Sequence, residues 1–223
     1  MMKSEHANIS SHARLVPMLA ICMLISAGCG TSSSVTKQAE VPQSNARLEV
    51  LDEVGFTITE EEPVRDEVRA AYDEALRLIE TGTLDDGVAK MQAVAEAEPA
   101  LAAPLIDLGI AYHVSGDLEE AERYLSLARD LNANYPMLFN ELGVIYRKTG
   151  RFEEARQSYE AALAIFPGYH FARRNLAVLC DLYLADFQCA LEHYEAYMAT
   201  VPDDDEAEIW IADLQYRMNQ QVR

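Results

Sequence analysis

Apolar positions divide the chain into four stretches. Residues 15–28, "LVPMLAICMLISAG", form one uncharged apolar run. Residues 30–46, "GTSSSVTKQAEVPQSNA", are polar and Ser-rich and read as a flexible tether. Residues 47–64 are more apolar, and Phe56 and Ile58 alternate with Thr57 and Thr59, which predicts a short extended segment. Two placements are open for it: packed loosely against the first helix, which is the expectation, or lying in a binding groove. From about residue 65 apolar residues recur at helical spacing, and the pattern repeats itself.

The repeat has a fixed period. Leu108-Gly109 returns as Leu142-Gly143, 34 residues on, and at the same offset Tyr112 matches Tyr146, Gly116 matches Gly150, Ala121 matches Ala155 and Ala128 matches Ala162. Backwards by 34, Gly116 maps to Gly82, Leu118 to Leu84 and Leu125 to Met91. Pro99 and Pro167 stand at matching ends of their units.

Each recurring residue suits one part of a helix–turn–helix unit. Gly82, Gly116 and Gly150 fall where a first helix ends, a place that favours positive φ. Asp85-Asp86, Glu119-Glu120 and Glu153-Glu154 fall in the first turn of the second helix, where carboxylates suit the helix dipole. Gly109 and Gly143 are expected to face Ala121 and Ala155 so that paired helices approach closely. Tyr112, Tyr146, Tyr159 and Leu125 supply bulk, and proline closes the unit.

Residues 65–202 resemble the tetratricopeptide-repeat family, and the third copy carries nearly the whole pattern: Phe139, Leu142, Gly143, Tyr146, Gly150, Ala155, Tyr159, Ala162 and Pro167. The resemblance implies an all-α, right-handed α-solenoid over residues 65–223. Its repeats would span about 68–101, 102–135, 136–169 and 170–204, with a capping helix over 205–220. A solenoid needs such a helix to cover its exposed end, and Trp210, the only tryptophan, is expected to pack there.

The family holds peptides on the concave face formed by the first helices. By alignment that face includes Tyr72, Leu76, Ile79, Ile106, Ile110, His113, Met137, Asn140, Val144, Arg147, Phe171, Arg174 and Val178. A partner-binding groove is therefore expected at Tyr72, Ile106, Ile110, Met137, Asn140, Val144, Arg147, Phe171 and Arg174. The places where family members clamp a terminal carboxylate carry Tyr72, Leu76, Asp107, Met137 and Glu141 here, so that clamp is absent. His113 and His170 are expected to be surface or capping residues.

The stretch "LCDLYLADFQCALEHY", residues 179–194, is the hairpin of the fourth copy. Cys180 aligns with Tyr146; beyond it one residue is inserted, so that Ala190 pairs with Ala155 and Tyr194 with Tyr159, and the turn glycine is missing. Across the turn of this fold Cys180 and Cys189 approach each other, which makes a disulfide feasible. Such a bond would contribute about 2.5–3 kcal/mol in the chain-entropy model. Free buried thiols are the alternative. A zinc site built with His193 lacks a fourth ligand, and a thiol nucleophile lacks an oriented base.

Charge and compartment narrow the function. The formal net charge of −19 argues against a nucleic-acid surface, which needs Lys and Arg to replace counterions. It equally argues against broad adhesion to anionic lipid headgroups. The apolar run is short for a membrane span and fits a signal peptide over residues 1–28. It ends in "LISAGCG", which resembles a bacterial lipobox; Cys29 would then be acylated and become the mature N-terminus, with residues 29–64 as lipidated tether. Gly30 rather than Asp after that cysteine implies outer-membrane sorting by the rule for such lipoproteins.

No phosphate loop, Ser/His/Asp set or paired carboxylates stands out, so the chain is not expected to be an enzyme, and no cofactor, metal or small-molecule substrate is expected. What the resemblance supports best is a lipid-anchored periplasmic scaffold that holds an envelope protein or peptide segment in its groove. Pilotin-like lipoproteins and accessories to TonB–ExbB–ExbD type systems are two versions; an adaptor for peptidoglycan-processing enzymes is the alternative.

Overall fold

The computed structural model describes residues 47–50, 55–59 and 64–221. The apolar leader, Cys29 and the tether to residue 46 lie outside the described residues. Two short strands, β1 (Arg47–Val50) and β2 (Phe56–Thr59), pair antiparallel, with Leu48 opposite Ile58. Nine helices follow among the described residues: α1 (Asp66–Glu80), α2 (Leu84–Ala97), α3 (Ala103–Ser115), α4 (Leu118–Leu131), α5 (Pro136–Lys148), α6 (Phe152–Ile165), α7 (His170–Leu182), α8 (Phe187–Thr200) and α9 (Asp205–Gln221). None of these helices is long and apolar enough to cross a membrane.

The helices pair in order, α1 with α2, α3 with α4, α5 with α6 and α7 with α8, and each pair stacks on the next. The result is an all-α solenoid whose contacts are almost entirely between neighbours. α9 stacks on α8 and ends the array.

Local chemistry sets the helix ends. Gly82, Gly116 and Gly150 adopt φ of 86°, 90° and 79° in the first three turns. In the fourth turn Ala185 takes φ of 52°, so the left-handed position persists although its glycine is gone. Asp117, Asp186 and Asp204 accept backbone N–H bonds from Glu120, Cys189 and Ala207 at 3.1, 3.2 and 3.1 Å. These bonds cap α4, α8 and α9.

The core runs the length of the array. Met91, Leu125, Tyr159 and Tyr194 occupy matching places on the second helices and are fully or almost fully buried. The expected pairing of Gly109 and Gly143 with small alanines holds only in part: a Cβ at Gly109 would meet Leu125 first and the Ala121 carbonyl oxygen at 3.2 Å, and one at Gly143 would meet only the Tyr159 ring among its nearest atoms. The glycines chiefly make room for bulk on the opposite helix.

The expected placement of the strands against the first helix is also corrected. Ile58 is buried in the cluster formed by Ile106, Tyr135, Leu138 and Leu142. Phe56 meets Phe166 and Tyr169 edge-on, with ring centroids at 5.1 and 5.6 Å. The strand pair thus crosses repeats two to four. Packed helices left an apolar seat there, and an alternating strand has the period to fill it.

Candidate interaction face

The first helix of each repeat, α1, α3, α5 and α7, contributes one row to a continuous face. A polar ladder ties the rows together at one-repeat spacing. The Tyr72 hydroxyl donates to Asp107 at 2.5 Å, and the Asn175 amide donates to Asn140 at 2.8 Å. Asn140 in turn donates to Glu141 at 3.3 Å, and His113 Nδ1 lies 3.0 Å from the same carboxylate. Lys148 Nζ sits 2.6 Å from His113 Nε2. An ammonium can only donate, so Nε2 is the acceptor of that contact and Nδ1–H is the donor to Glu141. The ladder ends at α9, where Arg217 donates to buried Asp181 at 2.7 Å.

This arrangement divides the expected groove residues. Tyr72 and Asn140 are buried and committed to the ladder, and Ile106 is only 1 % exposed beneath Ile58; these three are not open to a partner. Met137 and Phe171 are half-buried and pack in the cluster that surrounds Phe56. Ile110 and Val144 are half-buried against the core. His113 is likewise a ladder member instead of the surface residue expected from the sequence. Burial pushes the Tyr72 phenol well up, and the Asp107 carboxylate beside it adds to this, so it remains a donor.

Arg147 and Arg174 line something different, an open cleft of about 660 Å³ between α5, α7 and α9. Asn175, Val178, Asp181, Leu182, Tyr194, Trp210, Asp213 and Arg217 complete its walls. Leu182 is 67 % exposed at its rim. Arg174 lies over the Trp210 ring at 5.0 Å, with Glu206 3.9 Å away. Arg217 is held by Asp181 and Asp213. Arg147 differs: its neighbours are phenols, the Tyr159 hydroxyl at 3.4 Å and the Tyr183 ring at 5.7 Å. Burial pushes Tyr194 up to about 12, with Asp181 adding to it, so the cleft floor presents a neutral phenol. The part played by α9 was missed in the sequence, although Trp210 and Arg217, 36 residues after Arg174 and Asp181, carried the signal.

Cys180 and Cys189 form a disulfide across the α7–α8 turn, with Cα atoms 5.9 Å apart. A carboxylate oxygen of Asp186 lies within 4.8 Å of both sulfurs, and His193 does not join them. Bonded sulfurs are not thiolates, so the group offers no metal site in this state.

Residues 72–136 and 136–169 match two tetratricopeptide-repeat family models. The helical part of the chain is a tetratricopeptide-repeat fold. Among solved structures, this tetratricopeptide array is similar to MamA from Desulfovibrio magneticus RS-1, at 18% identity and TM-score 0.63, over 70% of this chain and 88% of that one. PilF of Pseudomonas aeruginosa is similar at 20% identity and TM-score 0.63, over 70% and 72%. The first tetratricopeptide domain of Spaghetti (RPAP3), bound to the HSP90 peptide SRMEEVD, is similar at 20% identity and TM-score 0.50, over 53% and 95%. A curated relative, the anaphase-promoting complex subunit CDC16 of Saccharomyces cerevisiae, is 34% identical over 67 residues, 30% of this chain and 8% of its own length. The chain thus spans under a tenth of that relative, and these likenesses carry the repeat fold alone.

Proposed function

We propose that the protein is a lipid-anchored scaffold of the outer membrane, facing the periplasm, that holds a carboxylate-bearing segment of an envelope protein in the cleft between α5, α7 and α9. The reading of the anchor rests on "LISAGCG" and Cys29. The reading of the cleft rests on one observation: Arg147 is a half-buried guanidinium whose neighbours are phenols, on a chain of net charge −19. Such a cation attracts a carboxylate where most of the surface repels one. Leu182, Val178 and Trp210 give the segment an apolar bed beside that charge. The partner belongs to an envelope machine, with pilotin-like assembly or support of a TonB–ExbB–ExbD type system as the two forms.

A photo-crosslinking residue at Leu182 tests the cleft, with the same residue at exposed Glu153 on α6 as control. A partner captured from intact envelopes at 182 and not at 153, and lost when Arg147→Glu is added, supports the assignment. Equal capture at both positions overturns it. Separately, Cys29→Ser should move the protein from the membrane to the soluble fraction; continued fractionation with the outer membrane removes the anchor from the proposal.

A further inference from the structure

The other half of the concave face is already occupied. Phe56 and Ile58 are two residues apart on one strand, so both point into the solenoid. Phe56 meets Phe166 and Tyr169 and packs on the same buried cluster as Met137 and Phe171, and Ile58 is 4 % exposed in one cluster with Ile106. Beneath this cover every helix also packs on its own partner and on the neighbouring repeat.

We infer that this half of the face is a seat for an extended protein segment bearing an aromatic residue and, two positions later, a branched aliphatic one, and that β2 is its resident occupant. A partner strand with that pattern binds by displacing the chain's own hairpin. The seat is distinct from the arginine-lined cleft, so it stands whether or not the cleft holds a partner.

Tethering sets the competition. A segment joined to its own seat acts at an effective concentration on the order of millimolar. An outside segment of equal intrinsic fit is therefore masked until the resident one is released, and its apparent affinity falls with the fraction of open seats.

The test uses the full chain and a fluorescent peptide with the sequence of residues 47–59. Wild type and a Phe56→Ala/Ile58→Ala variant are titrated by anisotropy. The released variant should bind the peptide at least about tenfold more tightly than wild type, as a mostly closed seat requires. A peptide carrying the same two alanines should not bind. Adding Phe171→Glu to the released variant should remove binding while helix content stays. If the double variant loses helical signal, Phe56→Ala alone takes its place and must still tighten binding. Equal affinity for wild type and the released protein, no binding to a released protein that keeps its helix content, or undiminished binding of the alanine peptide each overturns the inference.

Discussion

Gly143 on α5 leaves the space that the Tyr159 ring of α6 fills: a Cβ at 143 would lie 2.4 Å from Cε1 and 2.6 Å from Cδ1 of that ring. Tyr159 is fully buried, and its hydroxyl lies 3.4 Å from Arg147 at the cleft. The ring therefore cannot slide away without disturbing both the repeat and the cleft wall. Gly143→Ala should destabilise the protein by about 1–3 kcal/mol, the usual range for overpacking, even though alanine is the better helix former by about 1 kcal/mol. Urea unfolding of the variant checks this; a midpoint equal to or above wild type would show that α5 and α6 separate easily.

The fold class was legible because periodicity and the turn glycines report backbone needs that do not depend on context. The seat of the hairpin was not. Phe56 and Ile58 announce an extended apolar strand, but nothing local says which of several apolar faces receives it; that depends on how repeats two to four pack. The groove list failed for a related reason. Family alignment assigns Ile106, Tyr72 and Asn140 to the concave side, and the structure carries them on the first helices α3, α1 and α5. Whether such a side chain is open depends on what covers it and on which polar neighbour stands one repeat on. Trp210 and Arg217 became cleft residues only once α9 was placed.

Ala185 and the disulfide offer a second test. Ala185 holds φ of 52° in the turn spanned by Cys180 and Cys189. A left-handed alanine costs roughly 1–2 kcal/mol relative to a relaxed residue, and glycine removes that cost while adding some unfolded-state freedom. Ala185→Gly should stabilise by about 0.5–1 kcal/mol. Cys180→Ser with Cys189→Ser should cost about 2–3 kcal/mol, from loop closure alone. Melting measured with and without reductant reads both: reductant should lower the Tm of wild type and leave the double serine variant unchanged. A double variant that melts with wild type would mean the bond contributes nothing to stability.

His193 gives the array a pH dependence of known sign. Burial holds its imidazole below the usual histidine range, and the nearby Arg173 guanidinium pushes the same way. Its Nδ1 is buried without a hydrogen-bond partner among the described residues. The folded state therefore binds the proton less readily than the unfolded state. The neutral ring's contribution is fully present above the unfolded pKa of about 6.5 and is lost as pH falls through the depressed folded value. Carboxylates such as Asp204, lowered chiefly by the Tyr197 hydroxyl, add their loss only at more acidic pH. Wild type should lose Tm between pH 7 and pH 5, and His193→Gln should flatten that slope without changing the steeper acid limb. An unaltered slope in the variant would place the dependence elsewhere.

The last prediction concerns the wall that makes the cleft. Asp181 on α7 keeps only 5% of its side-chain surface exposed and receives Arg217 of α9 at 2.7 Å, while Arg217 also lies over the Phe187 ring at 5.0 Å. A buried carboxylate stripped of its cation is penalised more than the pair is worth, because the desolvated charge remains. Arg217→Met should therefore cost about 2–4 kcal/mol, somewhat below the range for a fully buried pair because Arg217 is a third exposed. Asp181→Leu combined with Arg217→Met should recover most of that loss, since no buried charge is then left unpaired. The two variants differ in what happens to the cleft. With Asp181 alone, α9 should detach locally, which the single tryptophan, Trp210, reports as a red shift in emission as its ring leaves Tyr194, 5.8 Å away by centroid. In the double variant the emission should return toward wild type. If Arg217→Met melts like wild type with unshifted emission, the ion pair does not hold α9, and the apolar contacts of Leu214 and Trp210 alone fix that wall.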